Sequence, residues 1–230
     1  MLAGQLQHFA YRPDVIVLAL PRGGVPIAYE VARALGAPMD VFLVRKLGVP
    51  GHEELAMGAI ASAAVRVINH EVVDSLEIAQ DVIDQVAAVE QRELERRDRM
   101  YRGDAAPPKV AGKTVILIDD GLATGSTMRA AAEALRLMHP ARIVVAVPTA
   151  SPDVCEQFRA IVDEVVCAIT PEPFRAVGMW YEHFPQLTDE EVRELLDLSR
   201  QEFRAGAAQQ HQQHQHQTNS TTERHHGGVH

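Results

Sequence analysis

Cysteine is scarce in this sequence. Cys155 and Cys167 are the only two in 230 residues. So few thiols exclude a disulfide framework as the source of stability, and the two do not stand at a metal-ligating spacing. We read both as core packing. Aromatic residues make up only 5% of the chain, so its interior is built from Val, Ile, Leu and Ala, a composition that suits parallel strands covered by helices. No apolar run approaches the about 20 residues of a membrane span. The opening MLAGQLQHFA lacks the character of a secretory leader, so the expectation is a cytoplasmic protein with no membrane partner. A basic excess is also missing: 22 Lys and Arg stand against 31 Asp and Glu, a formal net charge of −9. That disfavours binding to a nucleic-acid backbone. A small anionic ligand stays compatible, because backbone amides and helix ends make local anion sites.

What is present is an ordinary globular composition, 47% hydrophobic and 23% charged. One domain is expected over residues 1–205. The segment 206–230 is rich in Gln and His, cannot bury a core, and is expected to be disordered. Buried strands are read at 15–20 (VIVLAL), 41–44 (VFLV), 114–118 (TVILI), 143–147 and 165–169. Helical spacing is read at 25–35, 76–101, 128–138, 154–161 and 189–203, the last opened by a Thr188 cap with Glu191 three residues on. Residues 45–58 read as a long loop and 59–68 as a small hairpin. In the long helix, Glu93 faces Arg97 and Glu95 faces Arg99 at i, i+4, which reads as a solvated face. Strands alternating with helices imply an α/β fold with a central, mostly parallel five-stranded sheet flanked by helices.

The most specific stretch is VILIDDGLATGST, residues 115–127. An apolar strand delivers Asp119 and Asp120 to its carboxyl end, and a turn of small residues leads straight into a helix. Ligands of open α/β sheets bind at that edge. Residues 124–127 offer consecutive backbone N–H groups at a helix start, with hydroxyls from Thr124, Ser126 and Thr127 and close backbone approach at Gly125. That is a cradle for a phosphomonoester. The two carboxylates would lie across a ribose from its 5′-phosphate, able to accept from hydroxyls and to sit near a hard cation. A Walker loop is excluded by the absence of G-K-[ST], and a dinucleotide fingerprint by the absence of G-x-G-x-x-G.

This stretch resembles the phosphoribosyl pyrophosphate (PRPP) motif of type I phosphoribosyltransferases. The resemblance extends over about residues 12–200. It implies that Asp119 and Asp120 bind the ribose hydroxyls and, through ribose or water, Mg²⁺. It implies that Ala123, Thr124, Gly125, Ser126 and Thr127 bind the 5′-phosphate. Many purine-salvage members carry an Asp base where this chain has Ala123, which cannot transfer a proton.

Two further loops carry the same likeness. LPRGGVPIA, residues 20–28, resembles the family's pyrophosphate loop. It implies pyrophosphate contacts from Arg22, Gly23 and Gly24 and a cis peptide at Pro21–Arg22. Taken alone, PRGG is equally well explained as a simple turn. Arg45 and Lys46 begin an R-K-x-G-x-x-G stretch similar to the mobile loop of adenine and orotate members, where basic residues close over pyrophosphate. His52, Glu53 and Glu54 are either part of that closed site or solvated loop residues. Residues 170–184, TPEPFRAVGMWYEHF, resemble the base-binding region of hypoxanthine–guanine members, which makes 170–203 a candidate hood. Phe174 or Trp180 would then stack on a base, while Phe174, Trp180, Tyr181 and Phe184 read equally well as a satellite core under the closing helix.

The reaction implied is displacement of pyrophosphate from PRPP by a ring nitrogen, with Mg²⁺ as cofactor. PRPP and a small-molecule base are the implied partners, and a homodimer is compatible with the family. Asp119, Asp120, Arg22 and Lys46 would carry the chemistry. Two rivals remain: a regulator that binds PRPP or a nucleotide with little transfer, and a receiver-like domain that uses the acids for a metal alone.

Overall fold

The computed structural model describes residues 1–225, with side chains described as far as Ala208. Five strands form the central sheet: β1 (Val15–Ala19), β2 (Met39–Val41), β6 (Thr114–Ile118), β7 (Arg142–Thr149) and β8 (Glu164–Ile169). Their order is β2-β1-β6-β7-β8, and every pair is parallel. Strands β1 and β6 are buried along their whole length, which is why both read as unbroken apolar runs.

Alternate residues of these strands face two cores. Val15, Val17, Ala19, Ile116 and Ile118 point into one. There they meet α2 (Gly24–Leu35), α4 (Gln80–Arg102) and α7 (Asp189–His225). Ile16, Leu18, Val115 and Leu117 point into the other. They pack on α5 (Ser126–Arg136) and α6 (Pro152–Arg159). The amino-terminal α1 (Leu2–Gln5) adds Leu2 to the first core. Helix α2 buries Val25, Ala28, Ala32 and Leu35 and ends at Gly36, whose φ of 59° is the left-handed close of a helix.

The strand order places a topological switch between β1 and β6. From β1 the chain runs outward to β2 and later returns to the other side at β6. Crevices at such a switch, outside the carboxyl ends of the strands, are where open α/β sheets bind ligands. The register pairs Ala19 with Ile118, so the turn after β1 and the acid pair after β6 emerge side by side.

Four expectations need correction. Residues 45–58 are not a loop. They belong to a second sheet of β3 (Val44–Val49), β4 (His52–Ala61) and β5 (Val65–Ile68), all antiparallel. The outer end of β4, His52 to Leu55, is exposed, so the ribbon lacks the apolar alternation that marks a strand. Pro50 and Gly51 close it, with Gly51 at φ 80°, the conformation a Pro-Gly turn supplies. The helix read over 76–101 is divided into α3 (His70–Ser75) and α4, with Asn69 capping α3 by accepting from the Val72 amide. Helix α7 continues to His225 where no ordered element was expected. This stretch has no proline after Pro185, and its Ala, Gln and Arg residues favour helix. Residues 226–230 of the expected tail lie outside the described residues. Finally, Cys155 of α6 and Cys167 of β8 pack against the second core as read, and they are also joined as a disulfide. Their 12-residue separation carried no signal of the pairing.

The cap of α7 is as read: the Thr188 amide donates to Glu191, and the Glu191 amide donates to the Thr188 hydroxyl at 3.2 Å. Glu93 accepts from Arg97 at 2.9 Å, while Glu95 accepts from Gln91 instead of meeting Arg99. No helix among the described residues is long and apolar enough to cross a membrane.

Candidate active site at the switch between two strands

Leaving β1, the chain makes a tight turn. The Leu20 amide donates to the Ile118 carbonyl at 2.8 Å, and the Gly24 amide donates to the Leu20 carbonyl at 3.1 Å. The Pro21–Arg22 peptide bond is cis. Both glycines are closely faced by the exit of β6. A Cβ on Gly24 would stand 2.6 Å from the Ile118 carbonyl oxygen, and one on Gly23 would stand 1.9 Å from an Asp120 carboxylate oxygen. The P-R-G-G turn therefore lies directly against the acid pair, and Arg22 is exposed at its tip. Nearby, burial and a bond to Asp189 push the Tyr101 hydroxyl up, with the Arg22 charge acting against them.

The carboxylates are half-buried and have no ion-pair partner among the described residues. Asp119 accepts from the Asp120 amide at 2.9 Å. Burial first, and then the neighbouring Asp120 charge, push its carboxyl up to about 7. Burial also raises Asp120. Two acids held this way favour a partner that offers hydroxyl donors or positive charge.

After Gly121 and Leu122 the turn opens outward. Ala123, Thr124, Ser126 and Thr127 are exposed, and Gly125 between them is buried at φ 69°. The left-handed backbone there starts α5, and the Thr124 hydroxyl sits 3.4 Å from the Ser126 amide. The turn is braced from behind by α6, since a Cβ on Gly125 would meet Phe158 at 2.6 Å and Val154 at 3.0 Å. Exposed hydroxyl-bearing residues thus stand at the start of an 11-residue helix, a setting in which backbone amides and the helix dipole favour anions.

The second, antiparallel sheet carries Arg45 and Lys46 on β3. Lys46 is exposed and lines a cavity of about 630 Å³ together with Thr124, Ser126 and Arg129. Arg45 lines a small cavity of about 40 Å³ with Pro21, Arg97 and Thr127. There its guanidinium is held by Glu90 of α4. Neither cavity reaches Arg22 or the acids. His52 and Glu53 stay at the exposed tip, where Glu53 accepts from the Gly51 amide at 3.2 Å. Glu54 lines the larger cavity. Phe174 is half-buried, and Trp180 is 41% exposed within the short helix Val177–Trp180.

A family model for the phosphoribosyl transferase domain matches residues 2–179. The chain belongs to the phosphoribosyl transferase family. Its similarity to the Mycobacterium tuberculosis protein named "Putative phosphoribosyl transferase Rv0571c" is 43% identity over 194 residues, 84% of this chain and 44% of that protein. The chain thus spans less than half the length of the curated relatives it matches first. The "Bifunctional protein PyrR" of Chloroflexus aurantiacus is 36% identical over 136 residues, 55% of this chain and 65% of that one. The crystal structure of TT1426 from Thermus thermophilus matches with a TM-score of 0.76 at 40% identity, covering 85% of this chain and 92% of that one.

Within this phosphoribosyl transferase chain, sequence reading placed Tyr181 among satellite-core aromatics and gave it no contact to the acids; its hydroxyl donates to the Asp120 carbonyl at 2.5 Å. Sequence reading also missed Glu90, which lies 45 residues from Arg45 and sits in what reads as a solvated helix. The aromatic cluster around Tyr181 was visible as a signal; Glu90 had none.

Proposed function

We propose that this chain transfers the phosphoribosyl group of PRPP to a nitrogenous acceptor, a nucleobase, with release of pyrophosphate. The observation that supports this best is the contact between the Gly23 turn and Asp120 at the sheet switch, with the open Thr124–Thr127 cradle on the same strand exit. In this reading the cradle holds the 5′-phosphate, and Asp119 and Asp120 accept from the ribose hydroxyls. The Arg22–Gly24 turn, Arg45 and Lys46 receive the pyrophosphate. Bond breaking at C1 leaves positive charge on the ribose and negative charge on the departing pyrophosphate. The carboxylates favour the first and the cations the second. The ring nitrogen bonds to C1 as the C1–oxygen bond to pyrophosphate breaks, and its proton leaves to pyrophosphate or water because Ala123 takes none; positioning and charge carry the rate.

The donor set fits Mg²⁺. The two carboxylates are hard oxygen ligands without a cation partner, and no group of three or more metal-ligating side chains occurs among the described residues. Such a site holds the ion through one or two carboxylates and completes its shell with substrate oxygens and water. When bound, Mg²⁺ neutralises charge on the pyrophosphate leaving group.

A regulator that binds PRPP with little turnover is the second reading. It is favoured by Ala123 and by the engagement of Arg45 with Glu90. Pyrophosphate release from Mg–PRPP, followed with a panel of purine and pyrimidine bases, separates the two. The enzyme reading predicts release that depends on one base or a few. Tight PRPP binding with no base-dependent release would replace it with the regulator.

A further inference from the structure

Segment 170–187 meets the chain where it leaves β6, at Asp120 and Gly121, yet among the described residues only one hydrogen bond leaves it. That bond runs from the Tyr181 hydroxyl to the Asp120 carbonyl. An apolar contact accompanies it: Val177 packs so close to Gly121 that a Cβ there would stand 2.7 Å from a Val177 methyl group. Within the segment, the Tyr181 ring sits 4.9 Å from the Phe184 ring, and Phe184 in turn packs on Gly178. Asp120 is thereby held at both backbone groups. Its amide donates to the Asp119 carboxylate at 2.9 Å, and its carbonyl accepts from Tyr181.

Fixing both ends of this residue fixes the direction in which two adjacent carboxylates leave the strand. The Asp119 carboxylate steadies the peptide before Asp120, and Tyr181 steadies the peptide after it, Asp120–Gly121, so the second acid is held on both sides. We propose that Tyr181 is a positioning residue, which holds the Asp119–Asp120 backbone in the arrangement a ribose diol requires and makes the acceptor-side segment part of the sugar site. This rests on the reading of the acid pair as a ribose site given above. A phenol hydroxyl is suited to the task, being an uncharged donor at neutral pH. Coupling of this kind is reciprocal: a ligand that orders the segment steadies the carboxylates, and a bound sugar steadies the segment.

The test uses the full chain and Tyr181→Phe, which keeps the ring and deletes only the hydroxyl. Affinities are measured for three probes: inorganic phosphate, which has no ribose for the acid pair to hold, ribose 5-phosphate, and Mg–PRPP. Losing one such bond should weaken the two sugar ligands roughly two- to tenfold and leave inorganic phosphate unchanged. Equal losses for all three probes would assign Tyr181 a merely structural role and overturn the proposal. Unchanged affinities for all three would do the same. If the wild-type chain binds phosphate but neither sugar ligand, the ribose reading itself fails and takes this inference with it.

Discussion

Gly23 stands against Asp120 so closely that a Cβ on the glycine would lie 1.9 Å from the carboxylate oxygen, while Gly24 beside it abuts the Ile118 carbonyl at 2.6 Å. The two neighbours therefore predict different phenotypes. At Gly23 the obstacle is the end of a side chain, which can rotate away. Gly23→Ala should keep the fold and displace Asp120, weakening PRPP binding with little change in Tm. At Gly24 the obstacle is backbone inside the sheet edge, so Gly24→Ala should destabilise by about 1–3 kcal/mol. Thermal melts alongside PRPP titrations check both. Equal effects of the two substitutions on stability would contradict the packing described.

Asp119 ties stability to pH. Its carboxyl is raised from the ordinary 3.8 to about 7 in the folded chain. Between those values the folded state binds more protons than the unfolded state, so stability falls as pH rises through that window. Asp119→Asn removes the charged form altogether. The variant should gain Tm relative to wild type at pH 8 and gain much less at pH 5, while losing PRPP affinity at pH 8. A Tm difference that is the same at both pH values would count against the burial of this group.

Asp120→Asn and Thr124→Ala divide the sugar phosphate between them. The first should weaken both PRPP and ribose 5-phosphate and slow transfer. The second should chiefly weaken capture of the 5′-phosphate, and so weaken inorganic phosphate as well. Titration of the three ligands into each variant reads the division. Unchanged kinetics and affinities in both would leave the phosphate turn without a role.

The joining of Cys155 to Cys167 has a direct chemical readout. Denatured without reductant, the chain should show no free thiol to a thiol-reactive dye, and two after reduction. Closing so short a loop contributes roughly 3 kcal/mol, so reduction should also lower Tm. Two reactive thiols before reduction would show that the residues only pack together.

The central sheet and the phosphate turn were legible because each is written in local sequence. β1 and β6 are buried on both faces, so they stand out as apolar runs, and the acids, glycine and hydroxyls follow one of them within nine residues. The second sheet was not legible. Leu47 and Val49 of β3 are buried, but the facing end of β4, His52 to Leu55, is exposed and carries no apolar alternation to mark it as a strand; the Pro50–Gly51 turn was its one local mark. Arg45–Glu90 and Tyr181–Asp120 are separated by 45 and 61 residues. Contacts of that kind depend on how the finished sheet folds its connections back, and residue spacing does not record them.

A crystal of the full chain soaked with Mg–PRPP tests most directly whether the turn after β1 and the turn after β6 make one site. The account predicts the 5′-phosphate on the amides of residues 124–127, the ribose hydroxyls on Asp119 and Asp120, and the pyrophosphate against Arg22–Gly24. Density for PRPP that touches the cradle but leaves the acid pair and the Gly23 turn empty would contradict it.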